Sequence, residues 1–123
     1  MDLYACLDAK IFLIPLERVL ISTGIRIELP KGYEAQIRPR SGLALNHGIT
    51  VLNSPGTIDS DYRGDIKVLL INLSNTTMEI NHGTRIAQLV VTKHELVTWE
   101  VSNAINMTVR NVSGFGSTNK QSQ

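Results

Sequence analysis

Apolar side chains in this chain return at every second position, and that period decides the class of fold before any residue is considered for function. Tyr33, Ala35 and Ile37 alternate with Glu34, Gln36 and Arg38, the pattern of a strand with one buried and one wet face. Val19 and Ile21, then Ile25 and Ile27, continue it across Thr23-Gly24, which marks a strand pair or one bent strand. The segments "IKVLLINLS" (66–74) and "RIAQLVVTKHELVTWEVS" (85–102) are rich in β-branched residues, and Ser74-Asn75-Thr76 and Asn81-His82-Gly83 punctuate between them. An all-β protein of many short strands follows. One stretch departs from the pattern, "RPRSGLALNHG" (38–48), in which Ser41 is a good N-cap, Leu43, Ala44 and Leu45 favour a helical turn or two, and Gly48 stops it. It predicts one short helix.

The chain has 123 residues, near the commonest size of a single domain. Its 42% hydrophobic residues and formal net charge of +1 argue against a nucleic-acid polymer or an anionic membrane as the main partner, since both select a basic excess. Residues 103–123 are polar, with Gly114 and Gly116 and no periodic apolar face, so a core of 1–102 is expected to carry a flexible tail of 103–123, or one ordered by a ligand. Cys6 stands alone and reads as a small buried hydrophobe. His47, His82 and His94 lack Cys or His neighbours at ligand spacing, which speaks against zinc. Sequons at Asn72, Asn75, Asn106 and Asn111 carry no weight without a secretory signal, and a cytoplasmic location is the expectation.

The densest charge lies in "TIDSDYRGDI" (57–66), which holds three aspartates, a tyrosine and an arginine. Asp59, Asp61 and Gly64 fall at the first, third and sixth positions of a calcium loop, but Arg63 occupies the fifth and Leu70 the twelfth, where a glutamate belongs. A calcium site is excluded, leaving a solvated hairpin end or a functional turn. Ser41 at a helix start behind Arg40 is either an ordinary cap or an anion site. Arg110 precedes "GFGST", where Phe115 either anchors the tail on the core or stacks on a planar ligand. Taken together these features suggest a polyphosphate attached to a flat base. A carboxylate of the acidic turn would then activate a water as general base, or hold the water shell of a phosphate-bound magnesium ion.

"MDLYA" (1–5), "RPRSGLA" (38–44), "GTIDSDYRGDI" (56–66), "GTRIAQLV" (83–90) and "SGFGST" (113–118) resemble, in order and spacing, the five motifs of the trimeric dUTPases, the deoxyuridine 5′-triphosphate nucleotidohydrolases. The resemblance spans essentially the whole chain. It implies a jelly-roll-like β barrel, a homotrimer with shared active sites, and hydrolysis of dUTP to dUMP and pyrophosphate by water attack at the α-phosphorus with Mg2+. By motif, Asp59 is implied as the base and Tyr62 as the ring that packs under the deoxyribose and excludes a 2′-hydroxyl. Asn53 and the hairpin backbone up to Tyr62 would read uracil. Arg40, Ser41 and Gly42 would cradle phosphates with Gln88 nearby, Asp2 would hold magnesium through water, and Phe115, Gly116, Arg110, Ser117 and Thr118 would close over base and terminal phosphate. Asp61, Arg63, Asp65 and Arg85 read as structural.

The chain departs from the family pattern at both ends. It opens inside the first motif, so Asp2 is expected on a frayed strand with an unpaired edge. Asn111, Val112, Ser113 and Asn119 replace more glycine-rich tail residues. The related dCTP deaminases and a non-catalytic trimeric nucleotide-binding or regulatory protein are the alternatives, and the "IDSDY" turn favours the hydrolase over the deaminase.

Overall fold

The computed structural model describes residues 1–114. Along them run β1 (Asp2–Tyr4), β2 (Ile11–Leu13), β3 (Arg18–Ser22), β4 (Tyr33–Arg38), α1 (Ser41–His47), β5 (Ile49–Val51), β6 (Gly56–Ile58), β7 (Lys67–Asn72), β8 (Met78–Ile80) and β9 (Arg85–Lys93). The strands form a four-stranded sheet ordered β1-β9-β4-β6, a three-stranded sheet ordered β3-β7-β5 and a β2-β8 ribbon, with every pairing antiparallel. The all-β, jelly-roll-like class stands, but among the described residues these sheets do not close into one barrel.

Alternation does the sorting. Val68, Leu70 and Asn72 of β7 and Ala35 and Ile37 of β4 turn inward, where they meet Leu3, Ile21, Val51, Ile66 and Leu89. Each fully buried Leu or Ile stabilises the fold by about 1.5–3 kcal/mol relative to exposure. In β9 the period slips, because Ile86 and Ala87 are both buried. The pairing explains this: Leu3 faces Ala87 while Tyr4 faces Arg85, so Ile86 is the extra residue of a β-bulge.

Several expectations are corrected. Ser41 is the first helical residue, and Arg40 occupies the N-cap position with extended backbone and no side-chain cap. Ile25 and Ile27 lie outside any strand; only single backbone bonds, such as Ile66 N–H to the Ile25 carbonyl at 2.8 Å, hold that limb. Strand β9 ends at Lys93, not Ser102, because its neighbour runs out: Lys93 faces Tyr33, the first residue of β4. Beyond it Val97, Trp99, Val101, Ile105, Met107 and Val109 alternate along the chain and are each at least 76% exposed. The region from 103 onward therefore does carry a periodic apolar row. Cys6 is exposed rather than buried. Asp2, finally, is not frayed: β1 pairs with β9 from that residue, and Met1 and Leu89 exchange backbone bonds beside it.

Candidate active site

The acidic segment connects β6 to β7 and is tied down almost entirely by its own backbone. Tyr62 N–H donates to the Asp59 carbonyl at 3.1 Å, and Arg63 Nη1 donates to the Ser60 and Tyr62 carbonyls at 2.7 and 3.0 Å. The Tyr62 hydroxyl donates to the Asp65 carbonyl at 3.0 Å. At the base of the turn, Ser22 Oγ of β3 donates to the Asp65 carboxylate at 2.6 Å. Arg63 also stands 3.7 Å from Glu28. The Asp59 carboxylate, by contrast, accepts no hydrogen bond and joins no ion pair among the described residues.

Asp59 and Tyr62 line a cavity of about 310 Å³ together with Asn53, Gly56, Thr57, Ile58, Asp65, Lys67, Leu20 and Ile37. Asn53 comes close because position 56 is glycine: a Cβ there would sit 3.1 Å from Asn53 Nδ2 and 3.4 Å from Ile37 Cβ. Leu20, Ile37 and Ile58 give it an apolar side, and Asn53, Thr57, Asp59, Tyr62, Asp65 and Lys67 give it polar groups that can fix a ligand's orientation. Asp59 also borders a second hollow on the other side of the turn, beside Lys31, Arg63 and His94.

A second group gathers where β1, β9 and the start of α1 meet. Asp2 faces Gln88 across the β1–β9 pairing. Its carboxylate lies 3.4 Å from Gln88 Nε2, 3.4 Å from Arg85 Nη1 and 3.7 Å from Arg40 Nε. Arg40 is fixed further by donating to the Arg85 carbonyl at 3.0 Å. Burial alone would raise the Asp2 carboxyl, but the hydrogen bonds from Gln88 and Arg85 and the charges of Arg40 and Arg85 outweigh it and hold the group below the usual carboxylate range. Ser41 and Gly42 are exposed beside Arg40, and a Cβ on Gly42 would meet nothing within 4 Å.

The structure thus brings Asp59, Tyr62 and Asn53 together, and separately brings Asp2, Arg40 and Gln88 together. None of the second set lines the cavity of the first. Arg110 is exposed, its Nε donating to Ser113 of its own turn. Phe115, Gly116, Ser117 and Thr118 lie outside the described residues. The cavity also takes in Lys67 and Leu20, which sequence reasoning did not single out. Lys67 was detectable, because the alternation that buries Val68 turns its neighbour outward.

The fold is an open antiparallel β structure of jelly-roll type, with a cavity beside the acidic turn and, apart from it, a carboxylate held between two arginines. The chain belongs to the dUTPase family: a model of that family matches residues 1–119. It is 58% identical over 122 residues to the deoxyuridine 5′-triphosphate nucleotidohydrolase of Wolbachia pipientis subsp. Culex pipiens, covering 98% of this chain and 80% of that protein. The enzyme of the same name from Hydrogenobaculum sp. is 58% identical over 118 residues, covering 96% and 81%. Among solved structures, the Staphylococcus bacteriophage 80alpha dUTPase with dUPNHPP superposes with a TM-score of 0.84 at 22% identity, covering 94% of this chain and 83% of that one. A dUTPase from phage phi11 of S. aureus, described with a structural Mg(II) ion, gives 0.76 at 20% identity over 85% and 82%.

Proposed function

We propose that this member of the dUTPase family hydrolyses dUTP to dUMP and pyrophosphate, with Asp59 as the general base. The observation that carries the assignment is the unpaired Asp59 carboxylate at the mouth of a cavity it shares with Tyr62 and Asn53. A carboxylate without an internal partner is free to accept a proton from water, a contribution of about 10²–10⁴-fold. The water oxygen attacks the α-phosphorus, its proton passes to Asp59, and the bond to the bridging oxygen breaks to release pyrophosphate. Asn53 reads the uracil edge, and the Tyr62 ring lies under the deoxyribose and leaves no room for a 2′-hydroxyl.

Arg40, Ser41, Gly42 and Gln88 hold the phosphates, and Asp2 is the carboxylate that would help to hold a phosphate-bound magnesium ion through its water shell. The residues present fit that ion. Among the described residues no three His, Cys, Asp or Glu side chains group to cage a metal, and magnesium bound chiefly by phosphate oxygens and water needs only one or two carboxylates. When bound it neutralises phosphate charge. Against burial, the hydrogen bonds from Gln88 and Arg85 and the charges of Arg40 and Arg85 favour the ionised form of Asp2, the form that would hold the ion's water shell.

The separation of the two residue groups supports a site shared between chains of a homotrimer. The exposed row Val97, Trp99, Val101, Ile105, Met107 and Val109 supports it as well, since an apolar stripe of that length without cover belongs to an interface. Arg110, Phe115, Gly116, Ser117 and Thr118 then close over a neighbour's nucleotide. The ordinary charge balance speaks for a free nucleotide and against a nucleic-acid polymer. No helix of the described residues is long and apolar enough to cross a membrane, and a cytoplasmic location fits a nucleotide substrate.

Incubation with dUTP or dCTP and magnesium tests the reading. dUMP with pyrophosphate is the expected outcome. Ammonia release from dCTP would make the chain a deaminase, and absence of turnover would make it a binding protein.

A further inference from the structure

Gly64 lies under the Tyr62 ring. A Cβ built on it would fall inside van der Waals contact of the Tyr62 hydroxyl, 2.5 Å from Cζ and 3.0 Å from Cε2. The backbone does not require glycine here, because Gly64 is not among the glycines with positive φ. The three atoms such a Cβ would meet first all belong to the tyrosine. That ring is pulled down by its hydroxyl, which donates to the Asp65 carbonyl at 3.0 Å. It also forms part of the wall of the Asp59 cavity.

We propose that Gly64 is a positioning residue for sugar discrimination: by lacking a side chain it lets the Tyr62 ring lie down over the turn, at the depth where it excludes a 2′-hydroxyl. The inference rests on the reading of Tyr62 as the sugar-facing ring. A methyl at position 64 must push the ring back by about 1 Å to reach ordinary contact, and displacements of that size weigh heavily in a fitted site. The ring is held at one end by its own Cα and at the other by the bond to Asp65, so with two side-chain torsions it escapes only by giving up that bond. The turn then gives up one exposed hydrogen bond while the pocket wall moves.

The test is the ratio of kcat/KM for dUTP to that for UTP in four proteins: the parent, Gly64→Ala, Tyr62→Ala and the double variant. Tyr62→Ala is expected to lower the ratio by tens to hundreds, and Gly64→Ala by about tenfold, in line with discrimination by shape alone. In the Tyr62→Ala background the added Gly64→Ala should change neither the ratio nor the melting temperature. If Tyr62→Ala leaves the ratio unchanged, the sugar-facing reading fails and takes this inference with it. If Tyr62→Ala lowers the ratio and Gly64→Ala does not, the reading stands and the role given to Gly64 is overturned. Should Gly64→Ala not fold, the double variant decides: folding in the double confirms that the ring was the obstacle, and misfolding there shows that the backbone needs glycine, which also overturns the inference.

Discussion

Strand β7 begins and ends in a polar reversal of the chain, and the two reversals are built on opposite principles. At its far end Asn72 is fully buried. Its amide Nδ2 donates to the Leu13 and Thr76 carbonyls at 2.9 and 2.8 Å, while Oδ1 accepts from Ser74 N–H and Ser74 Oγ at 2.9 and 2.7 Å. All four hydrogen-bonding positions of the side chain are in use. At the near end the Asp59–Asp65 turn is bonded through its backbone, Asp65 and Arg63, and the carboxylates of Asp59 and Asp61 are left over, of which only Asp59 lines the cavity with Tyr62 and Asn53. A polar cluster that serves the fold satisfies itself; one that serves chemistry keeps a group in reserve. The two ends differ in what remains.

The sharpest way to break this contrast is at Asp59. Asp59→Asn preserves size and removes the base, so turnover of dUTP should fall by about 10²–10⁴-fold. Because the carboxylate has no internal partner, the melting temperature should hold. Paired kinetics and calorimetry check both halves, and a large loss of stability would show that Asp59 belongs to the turn's scaffold.

Asn72→Ala should do the reverse. It leaves the buried bond to the Leu13 carbonyl unmade, loosens the part-buried bonds to Thr76 and Ser74, and leaves a small cavity, for a loss of stability of about 2–3 kcal/mol. Below its lowered melting temperature the variant should keep the parent's kcat. Denaturant unfolding measures the first, and a kcat reduced at low temperature would tie the corner to the active site.

What could be read from the sequence follows the same division. Strand β4 and the body of β7 and β9 were legible, since alternation is set by solvent on one face and core on the other. The charge of the acidic turn was conspicuous, but charge alone fits a solvated hairpin end as well, and only the match of five ordered motifs weighed for a functional turn. Asn72 was not recognised, although inward parity after Val68 and Leu70 places a polar residue in the core and so marks a structural staple. The Asp2–Arg40–Arg85 cluster joins residues distant along the chain, and no local pattern could assemble it. Strand signal at Val97, Trp99 and Val101 was real but had no edge to pair with inside this chain, because β4 starts at Tyr33. Period reports what a segment can bury, not whether its partner lies in the same molecule.

That last point extends the comparison to a second chain. If the turn of one subunit meets the tail of another, Asp59→Asn protein and a protein truncated after Asn103 should each be nearly inactive. Co-refolded together they should exceed the average of the two parents, because some sites receive an intact turn and an intact tail. Mixed assemblies that form by light scattering but show no such excess would place turn and tail in the same subunit.

The smallest effect is expected where polar groups are neither buried nor held in reserve. Glu79 of β8 receives Lys10 Nζ at 3.1 Å and Asn81 Nδ2 at 3.0 Å, on side chains that are well exposed. The hydrogen bond from Lys10 comes first among the causes that hold its carboxyl below the ordinary value, with the bond from Asn81 adding to it and slight burial opposing. A carboxyl whose folded value lies below its unfolded one favours folding at pH above the unfolded value, and that contribution fades as pH falls through the lowered folded value. Glu79→Gln should therefore lower the melting temperature slightly at neutral pH and not in acid, which flattens the acid limb, leave dUTP turnover unchanged, and lose even this difference in high salt, where exposed pairs are screened. Thermal melts between neutral and acid pH, at low and high salt, measure it. A drop at neutral pH as large as that of Asn72→Ala would mean that exposure does not separate the structural polar groups from the dispensable ones, and the contrast between the two ends of β7 would need another basis.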